Sequence, residues 1–411
     1  MITYTLNYQD TYTKSNFKNK SYPTLNGQYD VICYEKGYVC FDDDYAPLYR
    51  SVIVNPDKNQ VCCFSPPKSV SMNRFLQDTR NVYTDQGATN TIPNDVVVNE
   101  IIEGSMINVW YDHTIQSWEI STKTSIGGDY VYCRSSLSDG ADAEPGNLSM
   151  DETGFIGEKT FRQMFLEAIS TEYIDLNDLF RWPKNHSYSF VLQHPQNKLV
   201  IPVNQPRLYL IAVYELDGLN VKVIPSNIYL SWECLKQPWI YYPSTFSCTG
   251  LKYYELIQTY STIQGSTDIV GVMCTNTVTG MRTKIINTVY IELKEIRGMN
   301  TNLLYLFLTL RYMDKIDNYL NIFPWYTNAF AKYRSLLQKW VDNILISYKA
   351  RYVKRTGEII SHRYMPHVYK LHHSLYLPSI ASGTKCVITK KIIQNYLYQF
   401  TPTELFHTIF A

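Results

Sequence analysis

Residues 100–112 read EIIEGSMINVWYD, and the reading of this stretch decides what fold the chain builds. Residues 108–111 are strand-like, with apolar and aromatic side chains suited to a pleated, half-buried surface. Glu103-Gly104, taken alone, is an ordinary strand–turn pair. Position 101 is an isoleucine, which carries neither charge nor lone pair and can act as no nucleophile. An acid, a glycine and a serine therefore stand together behind an aliphatic residue.

Working outward, WEISTK at 118–123 supplies a second strand-like run. SYSFVLQHPQNKLVIPV at 187–203 reads as two strands, 187–193 and 199–203, and leads into the apolar strand LYLIAVYEL at 208–216. Two more strands follow, over 268–275 and 282–286, within the segments IVGVMCT (269–275) and RTKIINTVY (282–290). Before them, residues 29–40 and 51–64 also read as strands, separated by Asn-Pro and Asp-rich punctuation. KTFRQMFLEAI at 159–169 places Phe161, Met164, Phe165 and Ala168 on one helical face. Residues 136–158 are small, acidic and Gly/Pro-containing, as in an exposed loop. Near residue 292 the pattern changes, and 303–320, 329–352 and 390–400 carry apolar residues at helical spacing. The expected class is α+β: a mixed body over 1–295 followed by an all-helical, locally basic domain over 296–411.

The 411 residues are 45% hydrophobic and 18% charged with a formal charge of +1, so no global field draws the chain to nucleic acid or membrane. Any such attraction is local. The 36 tyrosines suit core, interface or base stacking alike. Nine scattered cysteines, without a C-x-x-C pair, argue against a disulfide framework and a zinc site, and Cys62-Cys63 reads as buried thiols. The N-terminal residues are polar, and no run of about 18 apolar residues appears. The expectation is a soluble protein of a reducing compartment with no membrane partner.

In their order and spacing, the segments at 100–112, 187–203, 269–275 and 282–290 resemble the ATP-dependent RNA ligases of the T-even phage tRNA-repair type. They are most similar to that group's divergent relatives in large eukaryotic DNA viruses. The resemblance spans roughly residues 60–295, and the phage ligases also carry a helical C-terminal domain. It implies an ATP-grasp-like nucleotidyltransferase domain with antiparallel sheets. It also implies a lysine in a Lys-x-Asp/Glu-Gly element that takes AMP from ATP, then a 5′-phosphate that accepts AMP and a 3′-hydroxyl that displaces it. ATP and Mg2+ are the cofactors such chemistry needs, since a metal-bound triphosphate favours the deprotonated lysine.

Carried onto this chain, the lysine position is Ile101, the acid Glu103 and the glycine Gly104. Pro195, Asn197, Leu199 and Val200 match the family's Pro-x-Asn-x-Ile-Val stretch, but its usual glutamate falls on Val191. The third segment keeps Gly271 and puts Val270 where a glutamate is expected. The fourth keeps Arg282 and Lys284, and the second lysine of its pair falls on Ile286. Four polar-to-aliphatic losses in four motifs point to a scaffold kept without its covalent chemistry. The resemblance requires Ile101, Val191, Val270 and Lys284 to converge on one cleft.

Glu103 is then expected to face that cleft beside Lys284 or Lys123, with Gly104, Gly271 and Arg282 completing the nucleotide pocket. Lys123 precedes Gly127-Gly128 in a stretch suited equally to a hairpin turn or a phosphate cradle. Lys68, in Ser-Pro-Pro-Lys, is the one candidate for a displaced nucleophile, against a plain extended connector. His194 reads as a structural or surface histidine, and no metal site is expected. Toward the C-terminus, Lys349, Arg351, Lys354, Arg355, Arg363 and Lys370 face a single acid, Glu358, and are interleaved with tyrosines and histidines. This pattern suits phosphate contacts and base stacking, strengthened at mildly acid pH by the histidines, and equally suits a solvated helical face.

Three readings follow. The first is a catalytically degenerate RNA-ligase-like protein, needing no cofactor, that binds RNA or a protein partner in a viral setting, in the infected cell's cytoplasm or the virion. The second is an active ligase or adenylyltransferase that joins RNA ends through a displaced lysine with ATP and Mg2+. The third is a structural or virion-associated protein on the same fold.

Overall fold

The computed structural model describes residues 2–24, 27–35, 37, 45–78, 91–131, 159–169, 175–261, 269–298 and 302–410. The loop expected at 136–158, and Cys40 and Cys133, lie outside these. Residues 1–132 and 158–297 form one compact unit and residues 298–411 belong to another.

The first unit is built on three sheets. Strands β1 (Thr3–Thr5), β2 (Phe17–Thr24), β3 (Gly27–Tyr34), β4 (Val52–Asn55) and β5 (Gln60–Phe64) come first, followed by helix α1 (Met72–Asp78). Strands β6 (Val96–Glu100), β7 (Ser105–Asp112) and β8 (Ser117–Ser121) precede helices α2 (Phe161–Ala168) and α3 (Leu176–Leu179). Strands β9 (His186–Gln193), β10 (Arg207–Asp217) and β11 (Asn220–Ile224), helix α4 (Ser226–Tyr229) and the short strands β12 (Ile240–Tyr241) and β13 (Thr245–Phe246) come next. Helix α5 (Tyr253–Ser261), strands β14 (Gly271–Asn276) and β15 (Arg282–Ile286) and helix α6 (Thr288–Arg297) close the unit.

The largest sheet has the order β1-β11-β10-β9-β7-β8, with β12 alongside β10; the others run β13-β6-β14-β15 and β2-β3-β4-β5. Every pairing is antiparallel except β10 with β12. The α+β class with antiparallel sheets is as expected. Helix α2 forms where the apolar face predicted it: Phe161, Met164, Phe165 and Ala168 are buried, and Thr160 with Gln163 makes a capping box. Its apolar face packs in one core with Ile107, Tyr188, Phe190 and Leu210 of the large sheet. A second core joins Ile32 and Val52 to Tyr214 and Val221, so the N-terminal sheet packs on the large one.

Two expectations change here. Residues 199–203 form no strand, because the N–H groups of Val200 and Ile201 donate to the Glu103 carboxylate and Pro202 has none to donate. The division read at 295/296 falls inside α6, which runs on to Arg297.

The second unit is helical: α7 (Leu303–Tyr312), α8 (Ile316–Ile322), α9 (Thr327–Tyr348), α10 (Met365–Leu371), α11 (Leu377–Ala381), α12 (Lys390–Tyr398) and α13 (Pro402–Phe410). The single segment read at 303–320 is two helices, broken at Asp314, which holds a left-handed φ of 55°. Helix α9 continues as π-helical turns over Lys349–Lys354 until Arg355, also left-handed at 52°, stops it. Tyrosines do much of the packing, with Tyr319 and Tyr333 beside Phe307 and Phe330 in its core.

Candidate functional site

Strand β6 belongs to one sheet and β7 to another, so residues 101–104 carry the chain from sheet to sheet. Ile101 opens the crossing, and its N–H donates to the Gly271 carbonyl at 2.9 Å. Glycine is required at two points. A Cβ on Gly104 would lie 2.4 Å from the Leu192 carbonyl oxygen, and one on Gly271 (φ +145°) 2.1 Å from that of Ile285. Neither distance admits a side chain, so these two retained glycines set how closely the strands approach.

Glu103 is 7% exposed and turns into the protein. Its oxygens accept the Val200 N–H at 3.0 and 3.2 Å, the Ile201 N–H at 2.6 Å and the Tyr290 hydroxyl at 2.7 Å. Burial, then the Glu103 charge, pushes the Tyr290 hydroxyl pKa upward, so it stays a donor. The Glu103 carbonyl accepts from Gln193 Nε2 at 2.9 Å, and Ser105 Oγ accepts from Asn197 Nδ2 at 2.8 Å. His194 is buried; it accepts the Gln196 N–H on Nδ1 at 3.1 Å and directs Nε2 to Glu167 at 3.0 Å. Glu103-Gly104-Ser105 thus clamps the 193–201 segment. Its bonds go to that segment and to Tyr290, instead of to Lys284 or Lys123 as the sequence suggested.

Ile101 and Val191 line a cavity of about 260 Å3, together with Arg282 and the previously unsuspected Arg50. Tyr4, Tyr214 and Tyr229 also border it. Its described lining contains two arginines, one carboxylate (Glu100) and no lysine. Arg282 donates through Nη1 to the Pro67 carbonyl at 3.5 Å, a weak contact. Burial first, and the nearby Arg50 charge as well, lowers the Arg282 pKa, against the opposing influence of Tyr214 and Tyr4. A neighbouring cavity of about 430 Å3 shares Glu100, Ile101 and Ile102 and is bordered by Glu103, Gln193, Arg207 and Tyr209.

The four positions expected to meet do so in part. Ile101 and Val191 share the cleft, whereas Val270 is buried beneath it with Val200 and Tyr290, and Ile101 and Ile286 pack against that cluster. Lys284 is exposed on β15, opposite the cleft-lining Met273. Val270 precedes β14 and donates its side chain to a core instead of an open strand face, which alternation alone did not reveal. Lys68 and Lys123 both stand over the Tyr34 ring, at 5.5 and 4.8 Å from its centre, and neither lines the cleft. Arg50 was missed because it belongs to no motif; the only signal for Tyr4, Tyr214 and Tyr229 was the abundance of tyrosine.

The fit of a divalent cation is poor. Among the described residues no three His, Cys, Asp or Glu side chains gather as a metal-binding group, and the cleft offers the single carboxylate Glu100.

In the second unit all six basic candidates, Lys349, Arg351, Lys354, Arg355, Arg363 and Lys370, are exposed. Four cluster at the π-helical end of α9. Arg363 donates to the Ile409 carbonyl, and Lys370 lies 5.7 and 5.9 Å from the Tyr396 and Phe400 rings. Tyr352 stacks on His372 at 3.6 Å and 3°. Burial, then Lys370, lowers the His367 pKa to about 4, and burial, then His373, lowers that of His372. His367 therefore stays neutral at mildly acid pH, which corrects the expectation that this histidine strengthens binding there. No helix among the described residues is long and apolar enough to cross a membrane.

No family profile matches the sequence and no curated protein does. Among solved structures the chain is similar to a putative ATP-dependent DNA ligase from Aquifex aeolicus, at 11% identity over 91% of this chain and 78% of that one, with a TM-score of 0.40. It is similar to an archaeal ATP-dependent RNA ligase, at 9% identity over 95% and 84%, with a TM-score of 0.38. A Naegleria gruberi RNA ligase solved with PPi matches at 8% identity over 68% and 98%, with a TM-score of 0.32.

Proposed function

We propose that this chain is an RNA-ligase-like binding protein that has lost covalent nucleotidyl transfer and holds RNA non-covalently, in the viral setting its sequence resemblance implies. One observation carries the reading: the wall of the cleft at the nucleophile position is Ile101, and the described lining supplies arginines but no lysine. A guanidinium remains protonated at all physiological pH values, so it binds anions and does not attack phosphorus. The poor metal fit supports the same reading, because adenylylation requires a cation on the triphosphate. Lys68, the one displaced nucleophile the sequence offered, has its ammonium over the Tyr34 ring. The exposed cations at the end of α9 supply phosphate contacts outside the cleft.

The test is incubation of the full chain with α-labelled ATP and Mg2+, followed by denaturing electrophoresis. No label is expected to remain on the protein, and robust labelling overturns the proposal. RNA retention is read from the same preparation. Affinity should fall steeply with salt, and glutamate at Lys349, Arg351, Lys354 and Arg355 should flatten that dependence.

A further inference from the structure

We propose that the cleft of the first unit is a metal-independent site for a terminal phosphomonoester, held by the guanidiniums of Arg50 and Arg282 and the hydroxyls of Tyr4, Tyr214 and Tyr229. The proposal rests on reading this cleft as the ligand site and names what enters it.

Charge in this cleft is unbalanced: its described lining sets two arginines against the single carboxylate Glu100. Arg50 and Arg282 line one cavity, where burial first, and the Arg50 charge as well, lowers the Arg282 pKa. Among the described residues no salt bridge joins either to a carboxylate. Two like charges placed together in a partly dehydrated site are costly until an anion enters.

The imbalance extends to hydrogen bonding. Tyr214 is 3% exposed and Tyr229 6%, and both border the cavity with Tyr4. Buried polar groups are almost always paired, and three phenols with two guanidiniums make a strong excess of donors. The complement is a group with many acceptors and two negative charges. A phosphomonoester dianion has three terminal oxygens and pairs with guanidinium forks in bidentate fashion.

Two guanidiniums neutralise such a dianion without a cation, which removes the need for the carboxylate cluster that the site lacks. The neighbouring Ile101, Val191 and Ile211 offer an apolar wall for the organic part of the ligand. The retained fold would then recognise a phosphorylated end through arginine and tyrosine, not through the lysine and metal that the resemblance implies.

The phosphate belongs either to a free mononucleotide or to a strand end, and two probe pairs separate these sources. Calorimetry on the full chain compares AMP with adenosine, and a 5′-phosphorylated oligoribonucleotide with its 5′-hydroxyl twin, each in EDTA and in Mg2+. At least tenfold tighter binding of one or both phosphorylated partners is expected, unchanged by EDTA. A preference confined to the oligonucleotide pair assigns the strand end, and one shared by both pairs assigns the phosphate group itself. Arg50→Gln and Arg282→Gln, with folding checked by circular dichroism, should each erase the preference. Equal affinity within each pair, no binding at all, a preference that needs Mg2+, or a preference that survives both folded variants overturns the proposal. Covalent labelling by ATP would instead defeat the non-covalent reading, so the two failures are distinguishable.

Discussion

Glu103 and Arg282 both lie within the first unit, and the chain uses their polarity in opposite ways. Glu103 has every strong acceptor position filled by Val200, Ile201 and Tyr290. Among the described residues the Arg282 guanidinium makes one weak hydrogen bond, to Pro67, in a cavity shared with a second arginine. A buried carboxylate that already holds three donors together is a structural joint, even though Glu103 also borders the cavity of about 430 Å3. A guanidinium whose donors remain unsatisfied is disposed toward recognition. The motif residue most strongly suggestive of catalysis is thus the structural one, and the site's remaining chemistry lies with an arginine pair that only partly coincides with the motifs.

The sharpest way to break this contrast is Glu103→Ala. It leaves two backbone N–H groups and a phenol unpaired in the interior, which costs about 3 kcal/mol of folding stability. The urea midpoint of the first unit should fall accordingly. A change below about 0.5 kcal/mol would mean that the 193–201 segment is held by other contacts and that Glu103 is no joint.

What the sequence disclosed and what it concealed divide along the same line. Strands β7, β9 and β10 and helices α2 and α9 were legible because their periodicity is a local property. The broken helix at Asp314 and the π-helical end of α9 were not, since left-handed residues other than glycine leave no pattern. Residues 199–203 have the composition of a strand, yet their N–H groups turn to a carboxylate almost a hundred positions earlier in the chain. Ile101 and Val191, placed by motif register, line one cleft, whereas Val270 and Lys284, placed by the same register, do not. Arg50 enters that cleft from the turn before β4, and no spacing rule connects it with Arg282.

The arginine pair gives a smaller effect with the opposite expectation. Replacing Arg282 with Met should leave stability within about 1 kcal/mol of the parent, or raise it, because a costly buried charge is exchanged for an apolar stem of similar length. Thermal unfolding with and without AMP reads both halves of the claim: the parent should gain from the ligand, and the variant should not. A loss comparable to that from Glu103→Ala would place Arg282 among the structural joints and dissolve the contrast.

The smallest expected effect concerns the pH response of the clamp itself. Burial lowers the His194 pKa from its ordinary value of 6.5, against a partial opposing pull from Glu167. The geometry agrees, since Nδ1 must stay unprotonated to accept the Gln196 N–H. Below the ordinary value the unfolded chain takes up a proton that the folded chain refuses. The stability His194 contributes is therefore complete above about pH 6.5 and drains away as pH falls toward the lower folded value. Glu167 does not mask this, because its own pKa is lowered, first by Lys159 and then by His194, so its contribution persists until pH drops below the usual carboxylate range. Urea unfolding at pH 7.5, 6.5 and 5.5 should show the parent losing stability faster than His194→Gln, whose amide does not titrate. Parallel curves would remove His194 from the clamp. Divergent ones would show that the joint side of the comparison responds to protons while the arginine side, protonated throughout, does not.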